Sequence, residues 1–191
     1  MRVGNVSRHT KETHIDLTVN IDGVGHASIV SGLRFFDHLV HSFATHSLID
    51  IDATVTGDLK HHLMEDVALC LGGALRKAVG DGARIHRFGS AIVPMDCSLA
   101  IASVDLVQRP YAKINLKIEG QAIEDTARED IIHFLETLAA SMQSTLHVWV
   151  LYGKNDHHKV EAAIKALALA MRQAVTFDPR RSTVPSAKGV L

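Results

Sequence analysis

The sequence predicts an α+β fold duplicated within the chain, and three observations carry that prediction. A His-His-x-x-Glu motif occurs twice, at His61-His62-Leu63-Met64-Glu65 and at His157-His158-Lys159-Val160-Glu161, ninety-six residues apart. The match continues through Leu71 and Leu167, Arg76 and Arg172, Ala78 and Ala174, and Val79 and Val175, which marks an internal repeat. Stretches of alternating polarity, the sign of half-buried strands, are interleaved with segments whose apolar residues recur at helical spacing. Each half reads roughly strand, strand, helix, strand, helix, with one further strand in the second, so a mostly antiparallel sheet with helices packed on one face is expected twice. Residues 1–86 form the first expected half and 87–191 the second, which carries the tail.

The elements follow in order. Residues 14–21 alternate polar and apolar, and Asp22-Gly23 with Gly25 offers turn chemistry before residues 26–30, so a strand hairpin is expected. From Leu33 to about His46 the residues Phe35, Phe36, Leu39, Val40 and Phe43 share a helical face, which places His38 on a helix beside Asp37. Leu48 to Thr56 alternates again. Gly57-Asp58-Leu59-Lys60 then turns into the first His-His helix, which stops at Gly80-Asp81-Gly82. In the second half, Ala91 to Pro94, Leu99 to Val107 and Tyr111 to Ile118 read as strands, the last two joined by a turn at Gln108-Arg109-Pro110. A polar connection, Glu119 to Glu129, leads to a helix from about Asp130 to Met142. Thr145 to Tyr152 is a strand, and Asp156 is the expected cap of a helix from His157 to about Val175.

The composition narrows the function. Lys plus Arg (20) nearly balance Asp plus Glu (21), which argues against a general nucleic-acid surface. No apolar run approaches the length of a membrane span and no signal-peptide pattern is present. Cys70 and Cys97 have no Cys-x-x-Cys spacing, so neither a disulfide framework nor a thiolate zinc site is expected, and a reducing cytoplasm fits. Thirteen histidines is the unusual count. His9, His14, His26 and His86 are isolated and read as surface residues, as does His41.

Residues four apart on a helix share a face, whereas neighbours point about 100° apart. His61 and Glu65 can therefore meet one ion while His62 aims elsewhere, and His157 and His158 diverge in the same way. His38 precedes His62 by 24 residues and His133 precedes His157 by the same interval, adding a third histidine to each half. Six imidazoles and two carboxylates suffice for two sites that leave positions open on a six-coordinate ion such as Mn²⁺. A second group suits an anion: Arg87, Arg109 and the terminal Pro185-Ser186-Ala187-Lys188-Gly189 offer guanidinium, hydroxyl, ammonium and backbone N–H groups to a phosphate.

These motifs, together with Lys11-Glu12-Thr13, Phe36-Asp37-His38, Arg87-Phe88-Gly89-Ser90-Ala91, Pro94-Met95-Asp96, Arg109-Pro110-Tyr111 and Gly153-Lys154-Asn155-Asp156, resemble the imidazoleglycerol-phosphate dehydratase family over nearly the whole chain. The resemblance implies a dehydration in histidine biosynthesis that yields imidazole acetol phosphate. It further implies two Mn²⁺ ions per active site and a homo-oligomer, usually a 24-mer, with sites between subunits. By resemblance, one metal takes His61, Glu65, His133 and His157, and the other takes His38, His62, His158 and Glu161. Glu12 and His46 are implied to touch the substrate, and Arg87, Arg109, Ser186 and Lys188 to hold its phosphate. Glu161 and Glu12 are the expected proton-transfer residues.

The chain departs from the family in three places. Lys60 leads straight into His61, without the few extra residues that members commonly carry there. Cys97 stands where a glutamate often follows Pro-Met-Asp, and Phe177 to Thr183 is unusually basic. Two other functions use the same residues: a metal-dependent phosphoester hydrolase, and a non-catalytic scaffold whose subunits are stapled by metal.

Overall fold

The structure, a computed structural model, describes residues 1–190; Leu191, the end of the tail, lies outside the described residues. The first half contains β1 (Val3–His9), β2 (Thr13–Asn20), β3 (Ala27–Ser28), α1 (Arg34–Ser47), β4 (Asp50–Gly57) and α2 (Lys60–Val79). In the second lie β5 (Phe88–Met95), β6 (Ser98–Asp105), β7 (Tyr111–Asn115), a small hairpin of β8 (Ala122–Ile123) and β9 (Thr126–Ala127), α3 (Arg128–Met142), β10 (Thr145–Tyr152) and α4 (Asp156–Val175). The sheets are ordered β1-β2-β4-β3 and β5-β6-β10-β7, each antiparallel except for one parallel pair. This is the expected α+β class.

The helices form the middle of the molecule. α2 lies on β1 and β2, α4 lies on β5 and β6, and the halves are joined because α1 packs against α4 and α2 against α3. Phe36, Met64, Leu135 and Leu167 are buried between the helices, and Phe36 meets Phe134 edge-on with ring centroids 5.1 Å apart. Burying each such side chain contributes about 1.5–3 kcal/mol. Two glycines let strand and helix approach closely at equivalent places. A Cβ on Gly4 of β1 would strike the Ala74 carbonyl of α2, and one on Gly89 of β5 would strike the Ala170 carbonyl of α4.

Three local expectations are corrected. β2 does not form a hairpin with residues 26–30: its antiparallel neighbours are β1 and β4, and β3 pairs in parallel with β4. The cause is Asp50, whose Oδ1 accepts from the N–H groups of Val24, Gly25 and His26, each at 2.9 Å, winding this loop over the end of β4. β6 and β7 are likewise not paired, since both flank β10. Asp156 is the first residue of α4 rather than its cap. Asn155 caps the helix by accepting from the His158 N–H at 3.3 Å, while the Asp156 carboxylate takes the N–H groups of Glu119 and Gly120.

Burial pushes the Asp50 carboxyl up, but the hydrogen bonds from His26, Val24 and Gly25 outweigh it and leave the pKa below 3.8. A depressed carboxylate contributes stability above its unfolded pKa and loses it as pH falls through the folded one. Asp50→Ala is expected to cost about 1–3 kcal/mol at neutral pH. Asp50→Asn should lose less stability than the parent between pH 5 and pH 3, which thermal melting at each pH would show.

Candidate active site

The crossed packing of the helices brings six of the eight expected metal ligands into two clusters. His38 of α1 meets His157 and Glu161 of α4, with Glu161 Oε2 3.5 Å from His38 Nε2 and 3.3 Å from His157 Nε2. His133 of α3 meets His61 and Glu65 of α2, with its Nε2 3.5 Å from Glu65 Oε1 and the His61 Nε2 4.0 Å from Glu65 Oε2. The clusters are related by the duplication, each using one helix from either half. Within one chain His157 lies with His38 and Glu161 rather than with His61. The open cleft beside the first cluster, lined also by Arg34, Phe35, Glu124 and Asp125, has a volume of about 670 Å³.

His62 and His158 point away from both clusters, as i, i+1 helix geometry requires. Each histidine of the two tandem pairs has its Nδ1 engaged. His61 faces Asp130 at 2.7 Å, His62 faces Asp58 at 2.9 Å, His157 faces Glu124 at 3.4 Å, and His158 faces the Cys97 sulfur at 3.5 Å. Holding Nδ1 leaves Nε2 to face an ion, the usual arrangement around a metal-binding imidazole. The donor chemistry therefore fits divalent cations. Buried Lys159 secures the connection that carries Glu124, since its ammonium donates to the Lys117 carbonyl, Glu119 and Asp156.

The sequence pattern of the imidazoleglycerol-phosphate dehydratase family matches residues 31–171. The chain belongs to that family. It is 45% identical over 191 residues to an imidazoleglycerol-phosphate dehydratase of Dehalococcoides mccartyi, covering all of this chain and 97% of the relative. It is also 45% identical over 194 residues to one of Methanothermobacter thermautotrophicus, covering all of this chain and 98% of the relative. Among solved structures, the Pyrococcus furiosus enzyme in complex with (S)-C348 superposes with a TM-score of 0.85 at 38% identity, over 97% of this chain and all of that one. The Staphylococcus aureus enzyme superposes with a TM-score of 0.85 at 26% identity, over 92% and 99%.

The other dehydratase-type residues divide between the ends of the chain's structure. Glu12 is at the metal end, exposed, with its carboxylate 3.8 Å from His62 Nδ1. His46 lies further along α1, and burial followed by the charge of Lys165 lowers its pKa. Arg87 is at the opposite end of α4: its N–H donates to the Ala174 carbonyl, about 25 Å along the helix from His157. Its guanidinium makes a two-pronged pair with Asp105 at 2.7 and 3.0 Å and donates to the Pro185 carbonyl, so it anchors the tail. Arg109 is exposed near the start of β10, also far from α4's first turn, where Thr145 donates to its carbonyl. Ser186 is partly buried and accepts from the Lys188 N–H, and Lys188 is exposed.

Two side chains at the metal end were not singled out from the sequence as site residues. Lys165 holds the other oxygen of Glu161 at 2.8 Å, and it is recognisable as an i, i+4 partner. Asp130 is recognisable only through the α2–α3 contact. Cys97, marked as a departure, turns out to be the partner of His158. The hydrogen bond to His158 and then the Lys154 N–H lower its thiol to about 6, whereas burial raises Cys70 to about 11. Iodoacetamide is therefore expected to alkylate Cys97 and spare Cys70 in metal-stripped protein at neutral pH, as mass spectrometry of the peptides would show.

Proposed function

We propose that the chain works as a hydro-lyase of histidine biosynthesis, removing water from imidazoleglycerol phosphate to give imidazole acetol phosphate. On this reading it uses two Mn²⁺ ions per active site, at interfaces in a cytoplasmic homo-oligomer that the resemblance makes a 24-mer. Residues 1–86 and 87–191 are then two halves of one duplicated unit, the second ending in a phosphate-binding tail. The carrying observation is the pair of duplicated His-His-Glu clusters, each one ligand short of the expected set.

The missing ligands follow by elimination. His62 cannot serve the ion of its neighbour His61, nor His158 that of His157. In a site built from the first cluster of one copy and the second cluster of another, His62 therefore completes the first and His158 the second. Assembly is favoured on two further grounds. Arg87, one of the phosphate-binding candidates, lies about 25 Å along α4 from His157, too far for one small substrate to span. The outer face of the second sheet exposes Phe88, Ile92, Tyr111, Trp149 and Leu151, an apolar surface suited to another copy. The cytoplasmic assignment rests on the free cysteines. No helix among the described residues is long and apolar enough to cross a membrane.

His38, His157 and Glu161, and His61, Glu65 and His133, would hold the ions, which when bound would supply Lewis acidity that makes the substrate's imidazole easier to deprotonate and so eases departure of the neighbouring hydroxyl. Glu161 supplies negative charge there. Burial pushes its carboxyl up, but the hydrogen bond from Lys165 outweighs this and holds it below its ordinary value, so it is a ligand before it is a base. Glu12, exposed beside His62, is free to move and takes the larger share of proton transfer. His46 borders the substrate from α1. Arg109, Ser186 and Lys188 of a neighbouring copy bind the phosphate, and Arg87 fixes the tail that carries Ser186 and Lys188 and shares its charge with them.

The test is turnover of imidazoleglycerol phosphate before chelation, after it, and with Mn²⁺ restored. Ketone formation should disappear and return, without inorganic phosphate. Release of phosphate instead would identify a hydrolase, and metal binding without either product would leave only the scaffold.

A further inference from the structure

The outer face of the first sheet is polar, and it carries donors that the dehydration does not use. His9 of β1 stands directly across from His14 of β2, and Asp16 projects from the same face opposite Ser7. The two imidazoles stack with centroids 3.5 Å apart and planes 11° from parallel. Both converge on one carboxylate: His9 Nε2 is 3.2 Å from each Asp16 oxygen, and His14 Nε2 is 3.7 Å from Oδ2. The Ser7 hydroxyl donates to Asp16 and fixes its orientation. One donor atom from each of the three residues lies within 4.8 Å of the others.

We propose that His9, His14 and Asp16 form a further metal site on each chain, for a late first-row dication such as Zn²⁺. Without a cation the two stacked rings compete for the same carboxylate. If both were protonated, two positive charges would be held face to face. A single dication takes a lone pair from each Nε2 and the charge of Asp16, and water fills its open positions. Two imidazoles and one carboxylate favour zinc, nickel or copper over magnesium or calcium. The donors project from paired strands whose register is fixed, so little ordering is needed on binding.

His9 and His14 also bracket the turn of residues 10–13, so an ion there ties the edge strand β1 to β2 and clamps the turn that bears Glu12. That consequence rests on the dehydratase reading, whereas the binding does not.

The test counts zinc. Parent, His9→Ala, His14→Ala and Asp16→Asn proteins, each loaded with Mn²⁺, are dialysed against graded Zn²⁺ and bound metal is measured by mass spectrometry. Zinc exchanging into the active site is common to all four, so the difference isolates the new site. The parent should bind one more zinc per chain, with affinity falling at least about tenfold in each variant, a loss that even outer-shell partners can produce. The replaced side chains are exposed or half-exposed, and Asp16→Asn keeps its shape. The thermal midpoint measured without zinc serves as the folding control. Equal zinc content in the parent and any variant overturns the site. The count requires no turnover, so it stands or falls apart from the dehydratase reading.

Discussion

Glu161→Gln is expected to release the ion held by His38, His157 and Glu161, and to lower turnover by at least about a hundredfold. Outer-shell partners of metal sites are worth about 10–100-fold, and a charged ligand should exceed them. The substitution keeps the length of the side chain and a carbonyl oxygen for Lys165, so it changes the charge with little change in packing. In the parent the carboxylate divides its work, with Oε1 on Lys165 at 2.8 Å and Oε2 facing both imidazoles. The amide can satisfy Lys165 but cannot supply the negative charge. Manganese bound per chain should therefore fall by half while the thermal midpoint of the metal-free protein barely moves. Parental turnover with undiminished manganese would mean that Glu161 serves only to neutralise Lys165.

The parts of this site that were legible in the sequence are those governed by short-range periodicity. The 3.6-residue repeat placed His38, His133 and both tandem pairs on helices, and predicted that His62 and His158 would diverge from their neighbours. β10 was readable to the residue because it is a short run rich in β-branched and aromatic residues, Val148 to Tyr152, closed by Gly153. β1 was not, because only Val3 and Val6 are apolar in a polar edge strand and its contact with α2 depends on a glycine. Missing β1 also hid the facing of His9 and His14, which is a cross-strand relation. Strand neighbours were misread wherever a turn-like sequence joins strands that do not pair, at Asp22-Gly23 and at Gln108-Arg109-Pro110. That His157 lies beside His38 within the chain required knowing that α1 packs on α4, a long-range contact without a local signature. The departure at Cys97 was visible, but its placement against His158 was not.

Mixing His62→Ala and His158→Ala chains should restore turnover that neither variant has alone. Each variant spoils every site in its own homo-oligomer, because each removes one ligand from one ion. In a mixed assembly, a site that takes its first cluster and His158 from the His62→Ala chain, and its second cluster and His62 from the His158→Ala chain, is whole. Random assembly from equal amounts makes about a quarter of the sites intact, so about a quarter of parental turnover is expected. The prediction is specific to the shared-site grouping proposed above. If His62 and His158 served one ion together from the same chain, or if each chain completed its own sites, mixing would recover nothing. A control separates exchange from failure to exchange: tagged and untagged variant chains must copurify after joint refolding. With copurification shown and no recovery, the shared-site arrangement fails even if the dehydration itself is established. Recovery would mean that the divergence of each tandem pair, a consequence of the 100° step between neighbours on a helix, makes assembly a condition of catalysis.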